Sequence, residues 1–593
     1  MDETTATRSD GTEPAPTPND AAEPAPTTLT AAGSTAVATT ALPRASRGRW
    51  IAAGLVVIAV ALGTIAAFVF LGAKPLPEAL RYVPVDSAVV AELRPELPGD
   101  QRQHVGNFLA HFPGFADQSI LSAKIDEALD RIVDAASDGS VDYGRQLKPI
   151  LAGPMTLSMG SPDVADAAAG DRPSGLLLVA TTDGKARCDT VFDRTSPGTT
   201  HRAVQITVIS ITLSCALDGR FMLLGSEAAI VAGIDARQDG KAIDGSSTFR
   251  SARDQIVGDQ LALLFVNGED MTSALASLAP SAGIDASLGG ALPAWAIAGL
   301  RVVDDALQVE TITPPVAEVA LASGTPTDPP PAKSHFASIL PADALGFVEV
   351  HGTGANLERL LARLKADPAQ AESVTALEEA LASVGGIASV ASWIEDLGIA
   401  GVPVGDSPGA VVLLRGTDDA ATKARFDGIR NLLLLASVGS DITIETSDHG
   451  GVTITNVDVG ELGPMFEALG VPLPSLPSGT RIRFSLANRD DVVLVGIGDG
   501  VLERVLDVEA GASLASSAGY GRAIGLATSP NDIEAYVAVD AIAAWVEKAL
   551  PASTDLEAYR RDFKPYLEHL AGLVSSTVTT STGTRTRIIL TVK

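Results

Sequence analysis

The 593-residue sequence predicts an α+β protein in which a single N-terminal transmembrane helix precedes two tandem, similar modules with mainly antiparallel sheets covered by helices. Three observations carry that reading. An uncharged apolar run extends from Trp50 to Leu71. Beyond it, a series of strand and helix patterns occurs twice in the same order. The strand patterns are joined by tight polar turns of the kind that close hairpins.

The elements follow in chain order. Residues 1–49 are rich in Thr, Ala and Pro, carry six acidic residues from Asp2 to Glu23, and spell Glu-Pro-Ala-Pro-Thr at Glu13 and again at Glu23. Such a segment buries too little apolar surface to offset its ordering entropy, which predicts a disordered tail. Residues 50–73 predict the membrane helix, because at about 1.5 Å per residue the run crosses a hydrocarbon core of about 30 Å. Arg44, Arg47 and Arg49 flank its N-terminal side while Lys74 alone stands near its other end, so the positive-inside bias leaves the tail in the cytoplasm. The expected localisation is therefore the cell membrane, single-pass, with the C-terminal region extracytoplasmic and the lipid bilayer as a partner through residues 50–73. A cleaved leader ending near Ala73 is the competing reading; the length of the run and the roughly fifty residues before it argue for an uncleaved anchor.

The remaining length of about 520 residues exceeds one compact core and suits two domains. Val83 to Leu93 aligns without a gap on Leu340 to Val350, with Pro84 and Pro341, Asp86 and Asp343, and Glu92 and Glu349 coinciding. The correspondence continues from Gly175 to Gly409, from Phe221 to Val492, and from Ala298 to Ala571. This predicts α+β modules at 75–316 and 335–593, with a Pro-rich linker over 317–334 and helices on one face of each sheet.

Composition narrows the function. The formal charge is −29 and the acidic excess is dispersed, so nucleic-acid binding, which needs clustered Lys and Arg, is disfavoured. Cys188 and Cys215 are the two cysteines. An oxidising exterior permits them to pair, and whether their Cα atoms approach closely enough is left open by sequence. Gly496 to Gly500 follows a strand and leads into a helix, but its Gly-x-Gly-x-Gly spacing lacks a Lys-Ser/Thr and reads as a tight turn. His104 and His111 lie two helical turns apart, too far to share one metal, and His201, His335, His351, His449 and His569 are scattered singly. No Gly-x-Ser-x-Gly elbow occurs. The expectation is no catalytic residue, no metal and no cofactor.

Two features remain as candidates. Glu92 and Glu349 recur near the ends of equivalent strands, reading first as exposed or salt-bridged carboxylates and second as a general acid or base. Phe112 and Phe115, in Phe-Pro-Gly-Phe, place two rings in an aromatic-poor chain, either as a contact loop or as a helix terminator plugging the core. Leu80 to Asp86, Leu97 to Arg102 and Phe112 to Phe115 together resemble an uncharacterised bacterial envelope family, domain of unknown function 3352. The resemblance implies a membrane-anchored envelope protein and transfers no catalytic residue. The function expected is extracytoplasmic binding or scaffolding, with an apolar ligand or an envelope protein as partner. The alternative is an envelope lipid- or glycan-acting enzyme with no recognisable motif.

Overall fold

The computed structural model describes residues 78–593 apart from 95–96, 98–99, 116–122, 124–125, 128–129, 132–141, 161–174, 183–186, 193–194, 269–292, 316–328, 367–370, 382–391, 406, 439, 462–480, 510 and 550–553. The expected tail, the membrane span and most of the Pro-rich linker lie outside the described residues. Among those described, no helix is long and apolar enough to cross a membrane.

Ten strands form from residues 89 to 313: β1 (Val89–Leu93), β2 (Leu151–Met159), β3 (Gly175–Thr181), β4 (Ser196–His201), β5 (Val204–Val208), β6 (Ser214–Asp218), β7 (Phe221–Gly225), β8 (Ala262–Asn267), β9 (Trp295–Val303) and β10 (Ala306–Thr313). They pair antiparallel in the order β4-β5-β6-β7-β3-β2-β1-β8-β9-β10. Ten more follow: β11 (Gly346–His351), β12 (Ile394–Val404), β13 (Ser407–Gly416), β14 (Thr443–His449), β15 (Val452–Glu461), β16 (Arg481–Arg489), β17 (Val492–Ile497), β18 (Ile533–Val537), β19 (Leu570–Thr580) and β20 (Gly583–Val592). Their order is β14-β15-β16-β17-β13-β12-β11-β18-β19-β20, the same sequence of neighbours. The last strand of each series pairs with the other, β10 antiparallel to β20, so the ladder is one 20-stranded sheet. The described residues accordingly fall within one compact unit.

The turns expected to close hairpins do so. Asp218-Gly219 joins β6 to β7 and Ser581-Thr582-Gly583 joins β19 to β20. Asp304 and Asp305, between β9 and β10, both sit at positive φ (47° and 59°), the backbone of a tight two-residue hairpin turn that Asp tolerates. Helices are capped by the residues best suited to it. Ser226 accepts from the Ala229 N–H at the head of Glu227–Asp239, and Gly240 ends that helix in the left-handed region. Ser246 and Ser517 cap the helices Ser247–Asp254 and Ala518–Leu526 in the same way.

Helices cover both faces of the first half, not one. Along β3, Leu176, Leu178 and Ala180 join the helices Glu227–Asp239 and Ser247–Asp254 in one cluster. Leu177 and Val179 face the other way, into a cluster with Phe108 and Leu109 of the helix Gln101–Ala110. β3 is buried on both sides, and its unbroken apolar run is the signature of such a strand. The second cluster also takes in Val546, Leu556 and Tyr559 from the C-terminal helices, which ties the two halves together by apolar burial as well as by strand pairing.

At the seam, Glu310 of β10 lies opposite Arg587 of β20 and accepts from Arg587 Nε at 2.8 Å and from Arg585 at 2.7 Å. Burial by itself would raise its pKa, but the two guanidinium hydrogen bonds outweigh burial and hold the carboxyl below the ordinary glutamate range. A carboxyl depressed in the folded state stabilises fully above its unfolded value of about 4.3, and that stability is lost as pH falls through the folded value. Glu310→Gln is expected to cost about 2 kcal/mol at neutral pH, less than the roughly 3–5 kcal/mol of a fully buried pair because both arginines can turn to water. It is also expected to flatten the loss of stability of the wild type below about pH 4. Urea melts of both proteins at pH 7 and pH 3.5 check this; equal losses at the two pH values would exclude the seam pairing as the source.

Candidate functional site

The repeated glutamates mark equivalent corners of the two halves, and both are buried, so of the exposed and salt-bridged readings the exposed one fails and Glu92 answers to the salt-bridged one. Glu92 is 2% exposed and Glu349 is wholly buried. In the first half the corner is an ion cluster. Arg94, two residues on in the chain, donates to Glu92 at 3.3 Å, and Arg253 from the helix Ser247–Asp254 donates to its other oxygen. Burial lowers the Arg94 pKa against the pull of Glu92.

In the second half the position two residues beyond the glutamate is His351, and the corner has a different chemistry. Strand pairing sets His351 opposite Asp396 of β12, with Nδ1 2.9 Å from Oδ1. His335, from the segment leading into β11, places its own Nδ1 3.0 Å from Asp396 Oδ2. The Glu349 Oε1 lies 3.8 Å from His351 Nδ1 and 4.0 Å from His335 Nδ1. His335, Glu349, His351 and Asp396 thus bring four ligand-capable atoms within 4.8 Å of one another.

The surroundings fix these groups. Glu349 accepts the backbone N–H groups of His335 at 2.9 Å and Phe336 at 3.4 Å, and the Ser334 hydroxyl. Arg415 Nε donates to Asp396 at 2.6 Å. Burial pushes the Glu349 carboxyl up, only partly countered by Ser334 and the His335 N–H. For Asp396, burial also pushes upward, but hydrogen bonds from His351 and Arg415 prevail and lower it. Burial would lower His351; the Asp396 partnership prevails and raises it. Glu534, directly across from Glu349 on β18, is buried too and is held by Tyr520 and Asn531.

The other sequence candidates fall elsewhere. Phe112 is 5% exposed, 5.4 Å from Phe108 and 6.3 Å from His569 ring to ring, and Phe115 packs against the same cluster. The contact-loop reading is therefore replaced by the core-plug reading. Cys188 and Cys215 form a disulfide with their Cα atoms 6.0 Å apart. Gly498 and Gly500 adopt positive φ at the turn into the six-residue helix Val501–Leu506, a tight corner as expected. His104 pairs with Asp100 at 3.4 Å on its own helix. A polar cleft of about 310 Å³ lies across β14 to β16, lined by Glu445, Asn456, Asp458, Arg483, Ser485 and Asp499, and takes in neither repeated glutamate.

Repetition singles out Glu349 in the sequence, where His335 and His351 stand apart and Asp396 belongs to no pattern. The available signal was the Glu-x-His of the second repeat set against the Glu-x-Arg of the first, which marks a changed corner without revealing what closes on it.

Comparison with known proteins gives one family. The description "Protein of unknown function (DUF3352)" matches residues 50–592. The chain belongs to the DUF3352 family. Comparison of this DUF3352 chain with curated proteins gives no match. Among solved structures, crystal forms I and III of TP0453 are similar at TM-scores of 0.22 and 0.23 and identities of 9% and 10%. Each alignment covers 42% of this chain and 82% or 83% of the other.

Proposed function

We propose that this DUF3352 chain is a membrane-anchored, extracytoplasmic protein of the bacterial envelope that binds or scaffolds rather than catalyses, through an apolar sheet face built on an internally duplicated fold. The observation that carries the proposal lies on the face of the second half opposite its buried corner. There, Val412, Ile399, Val348 and Ala535 stand side by side across four strands, and Leu397, Val350 and Ile533 form the next row. Val348 is 45% exposed and Ile399 54% exposed. Leu157 and Leu264 flank Ala91 at the matching place in the first half, and both are exposed. Contiguous apolar surface of this kind marks a site for an apolar ligand or a partner.

Buried apolar clusters lie between sheet and helices among the described residues, so the part of this face that the helices leave open, around Val348 and Ile399, is the better candidate for an apolar ligand. The repeated order of strand neighbours supports duplication, and the apolar run at 50–73 supports the anchor. The alternative, an envelope lipid- or glycan-acting enzyme, finds less support, because the polar cleft gathers neither repeated glutamate.

Native mass spectrometry of purified residues 75–593 tests the binding reading, and a reporter fused after Lys593 tests the topology. The double variant Val348→Glu and Ile399→Lys is expected to abolish a co-purifying apolar molecule or a cell-crosslinked partner. Its melting temperature should stay within a few degrees, since both side chains are exposed. Unchanged capture by that variant would remove the face from consideration.

A further inference from the structure

We propose that His335, Glu349, His351 and Asp396 form a structural zinc site that locks the entry segment of the second half onto β11 and β12.

The geometry fits a four-coordinate ion. Tetrahedral zinc with bonds of about 2.0–2.1 Å separates its ligand atoms by about 3.3 Å. Asp396 places Oδ1 2.9 Å from His351 Nδ1 and Oδ2 3.0 Å from His335 Nδ1, and Glu349 Oε1 stands 3.8 and 4.0 Å from the same two nitrogens. All of the ligand atoms lie within 4.8 Å of one another, a spread that small side-chain rotations close. Two imidazoles and two carboxylates suit zinc better than magnesium or calcium, which favour all-oxygen shells. The two carboxylates are already oriented from outside, Asp396 by Arg415 and Glu349 by two backbone N–H groups, while the buried His351 Nε2 has no hydrogen-bond partner among the described residues. His335, whose side chain is 47% exposed, provides the way in.

Charge supplies an independent argument. In the first half one buried carboxylate, Glu92, meets two guanidiniums, Arg94 and Arg253. In the second half, of the three buried carboxylates Glu349, Asp396 and Glu534, Asp396 pairs with a guanidinium, that of Arg415, which it shares with Glu395 and Asp491, and the place of Arg94 is taken by the ligand-capable His351. Buried carboxylates need compensating positive charge, and a divalent ion between the two imidazoles supplies it to Glu349, whose hydrogen-bond donors among the described residues are the Ser334 hydroxyl and two backbone N–H groups. The ion replaces the protons that otherwise link His335 and His351 to Asp396, and four protein ligands leave no open position, as in structural zinc sites.

The test uses the folded chain, stripped with chelator and titrated first with cobalt and then with zinc. One equivalent of cobalt with the intense visible absorption of a four-coordinate ion, displaced by zinc and accompanied by a rise in melting temperature, is the expected result. His335→Ala, at a half-exposed position that tolerates substitution, should weaken binding by about 100-fold, and His351→Gln should abolish it. Elemental analysis of protein purified without chelator should give close to one zinc per chain. Absence of cobalt absorption and of metal-dependent stabilisation in the wild type, or equal affinity in wild type and His335→Ala, overturns the site. The assay is independent of whether the apolar face captures a ligand.

Discussion

Replacing Glu92 by Gln is expected to destabilise the protein by about 3–5 kcal/mol, because it strands two guanidiniums in a place built for a carboxylate. The Arg94 side chain is 6% exposed and that of Arg253 15%, so neither can recover hydration by a rotamer change of the kind open to a surface arginine. Arg94 Nε has no hydrogen-bond partner even with Glu92 present, so the cluster has no slack to absorb the loss. The mechanism separates from a general packing defect by a second variant. Changing Glu92→Leu, Arg94→Leu and Arg253→Met together removes charge and partner at once and should restore most of the lost stability, since a buried ion cluster is often replaceable by apolar groups of similar volume. Urea denaturation of the two variants checks the pair of outcomes. A triple variant as unstable as Glu92→Gln would show that the corner depends on the shape of these side chains and not on their charge.

The same comparison shows how far the fold can be read from its residues. The coincidence of Pro84 with Pro341, Asp86 with Asp343 and Glu92 with Glu349 locates strands that prove to hold the same neighbours, β1 between β2 and β8, and β11 between β12 and β18. The polar turns were legible because a hairpin needs special backbone angles at one or two positions, and Asp and Gly meet that need locally. Covering of both faces was not legible as such. β3 reads as continuous apolar residues, which shows that it is buried but not by what.

The seam between β10 and β20 lay further out of reach, because an edge-to-edge pairing leaves no trace in either strand alone. Glu310 and Arg587 become partners only once the register is known. The site residues divide in the same way. Glu349 stood out by repetition, while His335 and Asp396 lie 14 residues before and 47 residues after it in the chain and meet it only because β11 and β12 pair with His351 opposite Asp396. The rings of Phe112 and Phe115 carried two readings in sequence because scarcity of aromatics says nothing about burial. Contact with Phe108 and with His569 from the far end of the chain decides it.

Removing the disulfide is expected to cost about 3 kcal/mol, and its state in the cell bears on where the chain resides. Cys188 opens a short helical turn after β3, and Cys215 lies fully buried in β6 between Thr207 of β5 and Leu224 of β7. The bond closes a loop across a sequence separation of 27, which contains β4 and β5, and loop-closure entropy for that length gives a figure of this size. The double variant Cys188→Ser and Cys215→Ser should melt several degrees below the wild type. Reductant should lower the wild type to about the same temperature while leaving the variant where it is. Because disulfides persist outside the reducing cytosol, acid quenching of intact cells followed by thiol alkylation in denaturant should find both cysteines unmodified if residues 75–593 are extracytoplasmic. Free thiols there, together with a wild type indifferent to reductant, would count against both the bond's contribution and the proposed topology. Free thiols in cells but a reductant-sensitive purified protein would count against the topology alone, since the bond would then have formed during purification.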